Sequence, residues 1–404
     1  MSPCSRRHAL RGGLVAATAG LAGCVFTGDE VEPHGERTLH ESNVDLDPTA
    51  SWPSYGRDAR NAGHDPDASG PTGDATVAWR YTEETEAGSG VVVDGGRVYA
   101  AGVVLDGETG RRVGGEWRGH TSTPAVAGGT TFVPTFDLEA RDAATGELDW
   151  TFDPELQGGG LPGVTVADGS VYAPGKSRRL LVYAVDTETG EEEWRWNPDP
   201  DAVGGIGTPP AVADGTVYVN DSDGTVYALD GETGEEAWRR ATGVSTTYSS
   251  PVVVDGTVYL GSRDGDAIAL RAEDGEPRWR TALGHEVWAT VAVTPDAVFA
   301  TGTGGSVTRL AAADGTIDWQ RRVEDAGRLG SPTVADGTVY VGSETDGTVV
   351  ALAAADGTED WRVETRSVLF GDYTREGVVD GPAVVDGVVY VATEPGDVHA
   401  IRES

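Results

Sequence analysis

Cysteine is almost absent from this chain: Cys4 and Cys24 are the two in 404 residues. Both fall in the first 24 positions, so the rest of the chain can form no disulfide and no thiolate metal site. Stability there must come from an apolar core and from closure of the fold on itself. Lysine is scarcer still, since Lys176 stands alone beside 29 arginines and 66 acidic residues, for a formal net charge of −36. A surface of that sign repels nucleic acid and anionic membrane, because both are bound through basic patches. Helical periodicity is missing from residues 51–404, and the 58 glycines of the chain would penalise helices heavily. Long apolar runs are missing too; Leu14–Ala22 falls well short of the roughly 20 residues a spanning helix needs.

What is present is a repeat. Trp79, Trp117, Trp150, Trp194, Trp238, Trp279, Trp319 and Trp361 are separated by 38, 33, 44, 44, 41, 40 and 42 residues, and the last six each follow a Thr-Gly, Asp-Gly or similar pair by four residues. A period near 40 marks a supersecondary unit that buries its apolar face only by stacking on its neighbours. The unit from Thr208 to Trp238 reads as three short strands, Ala211–Ala213, Thr216–Val219 and Thr225–Leu229, and a fourth at Glu236–Arg239 that carries the tryptophan. Asp-Gly and Gly-Glu-Thr-Gly separate them, and Asp-Gly supplies the positive φ that a type I′ hairpin turn needs. Four antiparallel strands per 40 residues predict an all-β propeller. Trp79 has no preceding strands of its own kind, whereas residues 381–404 supply three strands and no Trp. Joined, they make one blade and a total of eight, closing the ring and tying down both ends. Seven is the competing count, because Trp117 lies seven residues after Gly110 rather than four.

The N-terminus carries an address. Ser5-Arg6-Arg7-His8-Ala9-Leu10 is a twin-arginine export pattern, followed by Leu14–Ala22 and Leu21-Ala22-Gly23-Cys24. Residues 1–23 are expected to be a cleaved signal, with Cys24 lipidated as the first mature residue. The mature protein would then sit on the outer face of the cytoplasmic membrane. Residues 24–50, acidic and without periodicity, are expected to be a flexible tether, and 51–404 the propeller. Removing a signal that holds Arg6, Arg7 and Arg11 but no acid takes the charge from −36 to −39. Such a surface repels itself at low salt and is screened at molar salt, where the Debye length is about 3 Å. The pattern is that of a halophile's protein.

The phrases YAVDTETGEEEW (183–194), YALDGETGEEAW (227–238), ALRAEDGEPRW (269–279) and ALAAADGTEDW (351–361) resemble the pyrroloquinoline-quinone (PQQ) repeat, as does the lead-in SWPSYGRDARNAGH (51–64). The resemblance covers residues 51–404. It implies that each outer-strand Trp docks against the neighbouring blade near a repeat glycine. Quinoprotein dehydrogenases, the bacterial outer-membrane assembly lipoprotein and sensor modules share this propeller, so function must be argued from the site. The dehydrogenases imply a vicinal cysteine pair against the quinone, a calcium set and an aspartate base; here a Cys-Cys pair is absent, and the Asp-Gly stretches such as Asp221–Gly224 read as turns. PQQ and calcium therefore stay open without being assigned, and no catalytic residue and no metal ligand is singled out.

The histidines beyond the expected signal are scattered, none at metal spacing: His34, His40, His64, His120, His285 and His399. In a propeller the connections between blades share one face near the axis with the loops between second and third strands. That face is expected to receive His120, Gln157, Tyr248, His285, Trp288, Arg328, Tyr373 and Arg375, the last two in the irregular stretch Ser367–Gly377. An aromatic and an arginine there could hold an anion or a peptide. Two functions are expected from different classes: a monomeric, lipid-anchored module that binds a protein partner, or a PQQ- and calcium-dependent dehydrogenase of alcohols or sugars.

Overall fold

The computed structural model describes residues 37–82, 89–100, 102–115, 122–154, 161–175, 181–198, 205–246, 248–365, 377–394 and 396–404. The hairpins follow the turn chemistry. Asp214 and Gly215 sit at φ 49° and 71°, and the pairs at 168–169, 255–256, 336–337 and 386–387 adopt the same left-handed conformations. The twist of such a turn matches that of the strands it joins. The registers follow, as in Val212 opposite Val217 and Ala213 opposite Thr216.

In the unit read from the sequence the strands are Ala211–Ala213, Thr216–Asn220, Thr225–Asp230 and Glu236–Ala241, paired antiparallel in chain order. Eight sheets of this kind make an eight-bladed β-propeller, numbered here by inner strands Val92–Asp94, Ala125–Ala127, Thr165–Ala167, Ala211–Ala213, Val252–Val254, Ala292–Val293, Thr333–Ala335 and Val378–Val385. Thr303–Gly305 is the one helical turn among the described residues. Trp117 lies outside them. Its blade is nonetheless complete, because Arg112–Gly114 pairs with Val103–Asp106 as a fourth strand.

Blade 8 joins the two ends of the domain. Ala75–Thr82, which holds Trp79, pairs antiparallel with Asp397–Glu403. Arg37–His40 adds a fifth strand, and Val44 and Leu46 are buried in the core beneath it. Residues 37–50 of the stretch 24–50 expected to be a tether thus carry a strand and buried core residues. The acidic composition hid two apolar residues spaced for one face of an extended segment, and an adjacent sheet edge supplied their partner.

The seven described tryptophans of the repeat each lock a blade to its neighbour. Trp194 Nε1 donates to Gly231 O at 2.9 Å, Trp238 to Ala272 O at 2.9 Å, Trp279 to Ala312 O at 2.9 Å and Trp319 to Ala354 O at 3.0 Å. Trp79 donates to Gly107 O of blade 1 at 3.1 Å, which closes the ring. Each indole lies on the Thr-Gly or Asp-Gly turn of its neighbour. A Cβ on Gly234 would stand 2.7 Å from Trp194, and one on Gly275 2.7 Å from Trp238, so glycine is required there by space as well as by φ.

The lead-in 52–65 crosses the axis. Val126 N donates to Pro53 O (2.7 Å), Val212 N to Ala59 O (2.6 Å), Val253 N to Arg60 O (3.0 Å), Val293 N to Ala62 O (2.8 Å) and Val334 N to Gly63 O (2.8 Å), while Trp52 and Val93 exchange two bonds. Six of the eight inner strands are tied by one segment, which fills the channel as a plug. Asn61, buried in a left-handed conformation, donates through Nδ2 to Pro210 O and Pro251 O.

Candidate functional site

Above the plug the inner strands begin, and their first residues line a cup of about 280 Å³ open on the opposite side. Four residues before the central valine of each inner strand stand Ser89, Ser122, Pro162, Thr208, Ser249, Ala289, Gly330 and Asp380. Blade 8 alone places an ionisable group in this ring. Asp380 holds a non-glycine backbone at φ 65°, a conformation that costs energy and concentrates at functional sites. Its Oδ2 accepts from Thr123 Oγ1 at 2.7 Å and its Oδ1 from Gly381 N at 3.0 Å. Burial pushes its carboxyl up to about 6 against those hydrogen bonds, with Glu344 adding to the rise.

The floor is Tyr55, from the plug. Its hydroxyl donates to Thr290 Oγ1 at 2.6 Å, and burial, then the charge of Asp380, raise its pKa above the ordinary phenol range. Thr208 in the wall is 6% exposed, and its hydroxyl oxygen has no partner.

At the mouth, Tyr248 stacks on Trp288 with centroids 5.1 Å apart and planes 16° apart. The connections entering blades 5 and 6 place these two side chains at equivalent positions. Arg263 lies 3.9 Å and Arg328 5.1 Å from the Trp288 centroid. Arg328 is paired with Glu344, whose carboxyl is raised by burial against that arginine. Arg263 has no carboxylate partner among the described residues, and its Nε makes no hydrogen bond. Trp288 Nε1 donates to Glu286 Oε2 at 2.6 Å, which fixes the ring. Tyr248 remains 49% exposed.

Of the side chains expected on this face, Tyr248, Trp288 and Arg328 come together. His285 does not join them: its ring turns into blade 6, where Nε2 contacts Thr308 Oγ1 at 3.1 Å, and burial lowers its pKa. His120, Gln157, Tyr373 and Arg375 lie outside the described residues. Asp380, Tyr55, Thr208, Arg263 and Glu344 were missed. Asp380-Gly381 reads as one more Asp-Gly turn, and its signal emerges only when the eight inner strands are aligned.

A quinone does not fit this mouth. Two rings in direct contact leave no slot for a third plane, which would need roughly 7 Å between them. The cysteines that could back it are confined to positions 4 and 24. Calcium takes six to eight oxygens, and among the described residues no group of three or more His, Cys, Asp or Glu could hold a metal.

The family model for outer membrane protein assembly factor BamB matches residues 135–287, 245–343 and 274–404. The fold is similar to quinohemoprotein alcohol dehydrogenase from Comamonas testosteroni (TM-score 0.69, 17% identity, 87% of this chain and 80% of that one). It is also similar to BamB from Moraxella catarrhalis (0.62, 19%, 81% and 97%). The computationally designed Ika8 protein shares it as well (0.62, 14%, 83% and 98%). No curated protein matches the sequence. An enzyme, an assembly factor and a designed chain share one ring, so the ring by itself selects no activity.

Proposed function

The chain belongs to the PQQ-like propeller family that includes assembly factor BamB, and on that premise we propose that it is a binding scaffold for a protein partner, exported and held at the membrane by lipid on Cys24. The observation that carries this reading is the exposed Tyr248–Trp288 stack flanked by Arg263 and Arg328. Trp, Tyr and Arg are the residues that dominate binding energy at protein interfaces, and rigid, pre-stacked rings lose little entropy on docking. The closed Tyr248–Trp288 stack favours a protein contact over a quinone slot at the mouth. Arg6-Arg7 and Leu-Ala-Gly-Cys24 support export and anchoring, and the acidic surface supports a high-salt setting.

The test is cross-linking of the full chain in native membranes, wild type against a Tyr248→Ala/Trp288→Ala double variant that keeps its unfolding temperature. One discrete partner, lost from the variant by tenfold or more, is expected. Stoichiometric binding of PQQ with calcium, and dye reduction from an alcohol or sugar, would overturn the scaffold reading. Cys24→Ser is expected to release the protein from the membrane fraction, with mass spectrometry showing a diacylglyceryl-modified N-terminal peptide only in the wild type.

A further inference from the structure

We propose that the axial cup is a socket for a primary alkylammonium group, which docks on the Asp380 carboxylate. The site stands apart from the scaffold reading, since either a free amine or the lysine side chain of a docked protein brings the same chemistry.

Charge comes first. Asp380 is a carboxylate lining a cavity in which the equivalent inner-strand positions of the other seven blades are neutral; the other lining carboxylate, Glu344, is already paired with Arg328, and Arg263 stacks on Trp288 at the mouth. Arg57 is tied to Asp65, Arg60 to Asp58 and Arg328 to Glu344. Two oxygens that accept one hydrogen bond each from the protein keep further lone pairs for a ligand. A half-buried charge of this kind, set in a cavity, is costly until a counter-charge arrives.

Donor count and shape then choose among cations. An ammonium carries three N–H donors, and besides Asp380 the wall of the cup offers the neutral hydroxyls of Ser331 and, on blade 4, of Thr208, which is buried and unpartnered, while its other carboxylate, Glu344, is already paired with Arg328. A divalent ion would need several more anionic oxygens. A guanidinium is best matched by a carboxylate that offers both oxygens along one open edge, whereas each Asp380 oxygen already accepts one bond, from Thr123 and from Gly381, and the lone pairs that remain suit single N–H donors. An anion would meet Asp380 and Glu344. The aromatic pair at the mouth suits a methylene stem entering beside it, and the cavity of about 280 Å³ holds a short alkyl chain with room for water. A neutral polyol could hydrogen-bond the same wall but would leave the charge of Asp380 uncompensated.

The titratable and charged groups facing Asp380 are Tyr55 from the plug, and Glu344 with its partner Arg328 from blade 7. Burial raises the carboxyls of both Asp380 and Glu344, and two variants separate them.

The experiment is calorimetric titration of the purified full chain with cadaverine, with Nα-acetyl-lysine methylamide, and with butyrate and glucose as controls. Both amines are expected to bind at pH 7.5 and to weaken about tenfold per pH unit below 6, while the controls stay silent. Asp380→Asn is expected to lose at least tenfold in amine affinity and Thr208→Val about threefold, with circular dichroism and unfolding temperature confirming that both are folded. Glu344→Gln is expected to leave the midpoint of the pH profile in place. Undiminished amine binding by Asp380→Asn would overturn the assignment, as would binding of glucose or butyrate in preference, tighter binding on acidification, or a midpoint that moves with Glu344→Gln alone. Binding confined to the lysine mimic points to a protein source, and equal binding of cadaverine to a free amine; both outcomes support the socket. Failure here leaves the cross-linking result untouched, because Tyr248 and Trp288 are unchanged.

Discussion

At the scale of single residues, the closing blade holds a buried charge whose sign can be followed. Asp397 is fully enclosed, and burial lifts its carboxyl to about 6 while nearby Arg80 and then the Thr82 hydroxyl oppose the rise. The folded pKa lies above the unfolded value near 3.9, so the unfolded chain releases the proton first as pH rises. The stability this group contributes is complete below about pH 4 and is lost as pH climbs through 6. His399, on the same strand, works in the opposite direction: burial holds it neutral down to about 3, so the fold loses stability as pH falls below 6.5. The two partly cancel in the wild type, and a single substitution uncovers one of them. Asp397→Asn is expected to stabilise by on the order of 2 kcal/mol at pH 7.5 and to have no effect at pH 4, read as the difference between the two unfolding curves at each pH. A gain that persists at pH 4 would mean that packing, not ionisation, is responsible.

At the scale of elements, two devices order the blades, and they were legible to different degrees. The tryptophan turn was readable from spacing alone, because the Thr-Gly-x-x-x-Trp phrase repeats and its glycine must be left-handed. Gly234→Ala meets both constraints at once, a φ of 72° and a Cβ 2.7 Å from the Trp194 ring. A loss of about 2–4 kcal/mol is expected, by urea unfolding, from left-handed strain together with overpacking. The plug could be matched as a motif, SWPSYGRDARNAGH, but its role could not be read, since a segment that satisfies inner strands spread over 240 residues leaves no periodic trace. Asn61→Ala tests it: two prolyl carbonyls lose their donor and a non-glycine residue stays in a left-handed conformation. A cost of about 2–4 kcal/mol is expected, with protease cleavage appearing first within residues 52–65. The cup shows the same limit. Tyr248, Trp288 and Arg328 were readable as loop residues on the axial face, whereas Asp380 looked like any other Asp-Gly turn. Repetition announces what every blade shares and hides what a single blade changes.

At the scale of the whole molecule, the ring has no covalent staple: pairing of Ala75–Thr82 with Asp397–Glu403, the seven described tryptophan contacts and the plug hold it shut. Against this works a formal charge of −36 on a chain whose exposed turns repeat Asp and Glu. Several exposed arginines pair locally with a carboxylate three residues away, Arg195 with Glu192, Arg239 with Glu236 and Arg362 with Glu359. Such surface pairs contribute little each, and they leave the excess of acids uncompensated. Repulsion acts over about 10 Å at 0.1 M salt and about 3 Å at 1 M, a change from spanning adjacent blades to spanning adjacent side chains. Raising KCl from 0.1 to 2 M is therefore expected to raise the unfolding temperature by on the order of 10 °C. Most of the rise should come below 1 M, where screening length changes fastest. The check is calorimetry across that series in KCl and, at matched ionic strength, in potassium sulfate. Equal gains per unit ionic strength would identify screening as the cause, whereas a gain that continues to grow with sulfate would place it in strengthened burial of the apolar core.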